Sequence, residues 1–285
     1  MAVGRKTRGG GATDESDTDS PMGMVDTSMQ FLLEGRVAVI TGGSGDLGLA
    51  MAGALLDAGA TVVLASRDLR RLESAREKIS GRDERVSIQA VDVTDAAQVS
   101  SLMQKILGKF KRLDILVQAA GAQLRKPAIE LTSEEWNRMI SVNLTGAFLS
   151  CQAAARCMIP QGRGKIIMVS SLTAEIGIPN IAPYVASKGA IRQLTKALAV
   201  EWASSGITVN SIGPGRFRTH MTEDIFRDES IRERFLGLIP MRRAGLPADL
   251  AGVTVFLASD ASDYITGQSI YVDGGWLAAG GSPLG

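Results

Sequence analysis

A doubly wound parallel sheet with helices on both faces, the α/β class, is the fold the sequence predicts, and three observations predict it. Seven short runs rich in β-branched and aliphatic residues recur at 37–40, 61–64, 86–90, 115–117, 165–169, 208–212 and 269–272. Helical patterns separate most of them, the alternation of strand and crossover helix that builds a parallel sheet. The residues with the most distinctive chemistry then fall at or just beyond the ends of those runs, where open α/β sheets bind ligands.

Composition bounds the function. A chain of 285 residues that is 45% hydrophobic can bury one large core, so a single domain over residues 31–285 is expected. Its formal net charge of +1 gives no electrostatic case for nucleic acid or an anionic membrane. No apolar stretch approaches the roughly 20 residues that span a bilayer. The two cysteines, Cys151 and Cys157, lie six positions apart on one expected helix and point in different directions, so a reducing cytoplasm fits better than a disulfide. Residues 1–30 are different: a basic start, three glycines and an acidic polar run cannot build a core, and a disordered tail is expected there. No metal-ligand cluster is visible.

The first run leads into Thr41-Gly42-Gly43-Ser44-Gly45-Asp46-Leu47-Gly48 and then an alanine-rich helix. A glycine turn between strand and helix N-terminus is an anion cradle: backbone N–H groups and the positive helix end face a diphosphate. The second run ends in Ser66 and Arg67, where an acidic residue would be expected to bind both hydroxyls of an NAD ribose. A guanidinium there suits a 2′-phosphate, so NADP(H) is expected in preference to NAD(H). The third run is followed by Asp92 and Val93, the fourth by Ala119 and Gly121, with Arg125 four residues further on.

Beyond the fifth run stand Ser170 and Ser171, and thirteen residues after Ser171 comes Tyr184, with Lys188 four residues later. In a helix beginning at Pro183, positions i and i+4 share a face. An ammonium beside a phenol would favour the phenolate and lower a pKa of about 10, making the tyrosine a proton exchanger near neutral pH. The sixth run is followed by Pro214 and Gly215, then Thr219. His220, the only histidine, is expected to be a loop or lid residue and not a catalytic base.

Taken together and in this order, these motifs resemble the classical short-chain dehydrogenase/reductase family over residues 31–277, with Asn143 and Asp273-Gly274-Gly275 completing the series. Arg125-Lys126-Pro127, Ile181-Ala182-Pro183-Tyr184, Ala199-Val200-Glu201-Trp202-Ala203 and the run from Gly213 through Arg216-Phe217-Arg218 to Thr219 resemble the gluconate 5-dehydrogenases within it. The resemblance implies a Rossmann-type domain, a catalytic set of Asn143, Ser171, Tyr184 and Lys188, and the interconversion of a secondary alcohol and a ketone. It further implies that Lys188 also contacts the nicotinamide ribose, that Asn143 supports a proton relay through water, and that Asp92 borders the adenine. The expected cofactor set is Gly42, Ser44, Asp46, Leu47, Gly48, Arg67, Asp92, Val93, Ala119, Gly121, Tyr184, Lys188, Pro214, Gly215 and Thr219. Arg125, Ser171 and Tyr184 are the expected substrate contacts, with Arg125 placed to grip the carboxylate of a sugar acid. A homotetramer is implied, paired through the helices of Cys151 and Ile191 and the last strand edge.

Two positions depart from the family pattern. Asp46 stands where the family has a glycine; its carboxylate suits the first turn of a helix but lies near the expected diphosphate. Gln118 stands for the usual asparagine, which predicts a small local adjustment. The alternatives left open are a 3-oxoacyl-[acyl-carrier-protein] reductase, another ketone reductase, or a catalytically idle dinucleotide sensor.

Overall fold

The computed structural model describes residues 29–80, 83–220, 222 and 229–280; the expectation for the N-terminal tail falls, apart from Met29 and Gln30, outside them. In chain order the elements are β1 (Val37–Thr41), α1 (Asp46–Asp57), β2 (Thr61–Ser66), α2 (Leu69–Ser80), β3 (Val86–Ala90), α3 (Ala96–Phe110), β4 (Ile115–Gln118), α4 (Ser133–Ile140), α5 (Gly146–Met158), β5 (Gly164–Val169), α6 (Ala182–Trp202), β6 (Ile207–Pro214), α7 (Glu229–Gly237), α8 (Ala251–Ala258) and β7 (Ser269–Val272). All seven expected strands are present and run parallel in the order β3-β2-β1-β4-β5-β6-β7. The order reverses between β1 and β4, so a crevice opens there at the carboxyl ends of the strands.

Alternation along each strand divides the core into two layers. Val37, Val39, Leu116, Ile166, Met168 and Val209 face one layer, which α3, α5 and α6 complete with Val99, Cys151 and Ile191. Ala38, Ile40, Ile115, Val117, Ile167 and Val169 face the other, completed by α1, α2 and α8 with Met51, Leu72 and Leu257. Burial of each large aliphatic side chain contributes about 1.5–3 kcal/mol, so a sheet buried on both faces demands apolar residues at consecutive positions. β1, buried at all five positions, shows that demand directly.

Capping sets where helices begin. Asp95 accepts from the N–H groups of Ala97 and Gln98 to start α3, and Thr132 and Glu135 form a reciprocal capping box at α4. Gly45 caps α1 and offers no side chain. Pro214, expected just beyond β6, is instead its last residue, opposite Val272; its ring has no N–H, and the next ladder bond runs from the Gly215 N–H to the Val272 carbonyl. α6 begins at Ala182, one residue before the expected Pro183. Among the described residues no helix is long and apolar enough to cross a membrane.

Candidate active site

The crevice at the β1/β4 reversal is a cleft of about 410 Å³. Its wall carries Gly42, Ser44, Asp46, Leu47, Gly48, Arg67, Asp92, Val93, Ala119, Gly121, Tyr184, Lys188 and Thr219, which is the expected cofactor set without Pro214 and Gly215. Asn143, Ser171 and Arg125 also stand outside its immediate wall. Gly215 has a packing role: a Cβ there would come within 2.5 Å of Asp273 Cα.

The glycine turn fits a diphosphate. Gly42 has φ of +70°, and a Cβ on it would lie 2.7 Å from the Ala120 nitrogen; one on Gly48 would lie 2.5 Å from the Gly42 carbonyl oxygen. Only glycine allows β1, the β4 loop and α1 to converge so closely. At the end of β2 the Ser44 hydroxyl donates to Ser66 Oγ at 2.9 Å, while Arg67 and Arg71 both reach the cleft. No carboxylate replaces Ser66, so the ribose end of the cleft meets hydroxyls and guanidinium groups, with Asp68 alongside. Gln118 is buried and donates to the Ala120 carbonyl at 3.2 Å.

Tyr184 and Lys188 sit one turn apart on α6, with Lys188 Nζ 5.5 Å from the centre of the Tyr184 ring. The ammonium is buried and donates to the Val169 carbonyl, the last of β5, at 2.7 Å. Burial lowers its pKa to about 8. The expected depression of the Tyr184 pKa is not found. Burial raises the phenol, opposed in part by a hydrogen bond with Ser171, because the ammonium is spent on Val169 and lies over the ring. A half-buried, protonated phenol is therefore the resting form.

Ser171, two residues beyond the end of β5, is extended, φ −167°, and its Oγ also accepts from the Thr173 N–H at 3.1 Å. Ser170 has a structural part: its hydroxyl donates to the Lys188 carbonyl at 3.3 Å and so ties the end of β5 to α6. Asn143 lies in a π-helical segment, Ser141–Thr145, between α4 and α5. That extra width turns its amide inward. Its Oδ1 accepts from the Ala122 N–H at 2.7 Å, and its Nδ2 donates to the Ala122 carbonyl at 2.9 Å and to Ser187 Oγ at 3.2 Å. Gly121 brings these groups together: a Cβ there would meet Asn143 Oδ1 at 3.3 Å and Lys188 Nζ at 3.8 Å.

Sequence reasoning missed three features. His220 is a loop residue as expected, but it binds Asp46, a contact spanning 174 positions that no local pattern signals. Arg216 stacks on Trp276 at 4.6 Å, and burial together with the nearby Arg125 lowers its pKa, so two guanidinium groups approach each other beyond β6. The third is Ser187, one residue before Lys188, whose hydroxyl links Asn143 to the Tyr184 carbonyl.

Known proteins match this arrangement. The family model described as enoyl-(acyl carrier protein) reductase covers residues 43–277. A gluconate 5-dehydrogenase of Gluconobacter oxydans is 39% identical over 245 residues, 86% of this chain and 96% of that protein. A 3-oxoacyl-[acyl-carrier-protein] reductase of Thermotoga maritima is 37% identical over 243 residues, 85% and 98% of the two chains. The crystal structure of a gluconate 5-dehydrogenase from Burkholderia cenocepacia, in complex with NADP and tartrate, superposes with a TM-score of 0.83 at 37% identity, covering 87% of this chain and 98% of the other.

Proposed function

We propose, from the fact that the chain belongs to the short-chain dehydrogenase/reductase family, that it is an NADP(H)-dependent oxidoreductase that interconverts a secondary alcohol and a ketone on a sugar acid. The single observation that carries the reading is the meeting of Tyr184 and Lys188 in the wall of the cleft that begins in the glycine turn, with Ser171 hydrogen-bonded to Tyr184 just outside that wall. NADP(H), held by the glycine turn, Arg67, Asp92 and Thr219, supplies or accepts the hydride when bound. In reduction the protonated Tyr184 gives its proton to the carbonyl oxygen, and in oxidation the phenolate takes it back. Ser171, already hydrogen-bonded to the phenol, holds the same substrate oxygen. Lys188 keeps a positive charge beside the forming phenolate, and the Asn143–Ser187 pair steadies the backbone next to Tyr184.

The sugar-acid reading is supported by the relatives and by charge. Arg125 stands near Arg216, whose stacking on Trp276 fixes its plane. Two planar guanidinium groups, Arg216 partly buried and Arg125 exposed, favour a carboxylate over a neutral hydroxyl. The Thermotoga maritima relative keeps acyl-carrier-protein reduction as the second reading. A cytoplasmic homotetramer belongs to the same proposal; two buried free cysteines, the Cys151 thiol pushed up to about 12 by burial, support a reducing compartment.

The test is NADPH oxidation, beside NADH controls, with 5-keto-D-gluconate, a neutral keto sugar and a 3-oxoacyl thioester. Turnover of the keto acid with NADPH is expected. Tyr184→Phe should still bind NADPH while kcat falls about 10²- to 10⁴-fold. Arg125→Ala should raise KM for the keto acid and leave the neutral sugar unaffected. Turnover of the thioester alone would replace this reading with the second.

A further inference from the structure

Asp46 occupies the first position of α1, within the turn expected to hold the diphosphate, and a free carboxylate there would compete with that anion for the helix N-terminus. The structure turns it elsewhere. One carboxylate oxygen accepts from the backbone N–H of His220 at 2.7 Å, and both lie against the His220 ring, Nδ1 being 2.9 Å from Oδ1 and 3.1 Å from Oδ2. With a carboxylate as its partner, Nδ1 is the donor. Gly45, the cap residue, brings no side chain to compete for the first-turn N–H groups.

The two residues reach one cleft from parts of the chain far apart in sequence. Asp46 rises from the β1–α1 turn, while His220 follows Thr219 in the segment after β6, and all three line the same space. Their contact therefore straps the Thr219 segment to the start of α1 beside the cleft. We propose that Asp46 is a positioning residue which, through His220, holds the Thr219 segment against the glycine turn and slows the release of bound dinucleotide. The inference rests on the dinucleotide reading above. It turns the departure at Asp46 from an electrostatic liability into a retention device.

His220 is largely exposed, its side chain at 83%, so each bond competes with water and the effect is moderate. The experiment measures NADPH dissociation constants and stopped-flow release rates for the wild-type protein, Asp46→Gly, Asp46→Asn, His220→Ala and the double variant Asp46→Gly/His220→Ala. Asp46→Gly should weaken binding about 3- to 10-fold through faster release. His220→Ala should lose less, because the residue 220 N–H still donates, and the double variant should be no worse than Asp46→Gly. Asp46→Asn, whose amide oxygen still accepts, should recover most of the affinity. Tighter or unchanged NADPH binding in Asp46→Gly would overturn the strap, as would additive losses in the double variant. A parallel fall in the ligand-free unfolding temperature of His220→Ala would also overturn it, by making the contact a stabiliser of the fold alone. If the wild-type protein takes up no NADPH, the dinucleotide reading fails and the strap with it; wild-type binding that Asp46→Gly leaves intact defeats the strap alone.

Discussion

Replacing Gly42 by alanine tests the glycine turn at its tightest point. The added methyl must accept φ of +70°, which costs an L-residue about 1–2 kcal/mol. It must also fit 2.7 Å from the Ala120 nitrogen and 2.8 Å from the Ala119 carbonyl group. Those atoms are backbone and cannot swing aside. The Ala119 N–H donates to the Thr41 carbonyl at 3.1 Å, and the Gly45 N–H to the Gly42 carbonyl at 3.0 Å, so both sides are pinned. Overpacking of this kind costs about 1–3 kcal/mol, which brings the expected loss to roughly 2–5 kcal/mol. At about 2–4 °C per kcal/mol for a domain approaching this size, the unfolding temperature should fall by roughly 4–20 °C. The matched control is Gly53→Ala on α1, where the methyl meets only Ile79 Cγ2 at 3.8 Å. That variant should gain about 1 kcal/mol from helix propensity. Thermal unfolding with and without NADPH reads both effects, since bound ligand raises the transition in proportion to its affinity. Gly42→Ala should also lose most of the NADPH-induced rise. An unfolding temperature and ligand shift equal to wild type would refute the close-approach argument, and an equal fall in Gly53→Ala would show that the geometry of the turn is not the cause.

Asn143→Ala should destabilise the protein by about 2–4 kcal/mol in urea unfolding, because the part-buried N–H and carbonyl of Ala122 and the buried Ser187 hydroxyl all lose their partner; a loss under 1 kcal/mol would contradict it. Lys188 gives a stability signature in pH. Its folded pKa of about 8 lies below the unfolded value, so the unfolded chain holds more protons between pH 8 and about 10.5, and this residue's penalty of roughly 3 kcal/mol at neutral pH shrinks as pH rises through that window. Relative to Lys188→Met, the wild-type ligand-free protein should therefore gain stability from pH 7.5 to 9.5, and a constant difference in urea unfolding would sink the assignment. The raised Tyr184 pKa keeps the phenol protonated at neutral pH, so ketone reduction should be level between pH 6 and 8 while alcohol oxidation climbs toward pH 10. Initial rates in both directions check this, with oxidation that falls over the range as the contrary result.

Much of this molecule is legible in the chain because its signals are local. Period-two burial on both faces of a sheet leaves continuous apolar runs, and these located all seven strands; the differences are at ends such as Thr41, Ser66 and Pro214, where pairing with a neighbour lengthens the ladder. Glycine spacing located the turn, since Gly42 and Gly48 must be glycine for steric reasons that act over a few residues. The serine, tyrosine and lysine were legible as types and spacings. Their electrostatics were not: an i, i+4 lysine predicts a lowered tyrosine pKa, but burial is a property of the packed molecule, and it reversed the direction for Tyr184. The π-helical turn at Asn143 and the stacking of Arg216 on Trp276 likewise have no local signature.

The sequence by itself determined the α/β class, the strand order of chemistry and the identity of the groups that meet at the cleft, because periodicity, turn sterics and helix spacing act between near neighbours. Tertiary structure alone decided which of those groups touch. It turned Lys188 toward the Val169 carbonyl, seated Ser171 against Tyr184, and joined Asp46 to His220 across 174 residues. Desolvation and long-range hydrogen bonds exist only once the two core layers have closed on the sheet, and the state of a phenol or a carboxylate is set by them.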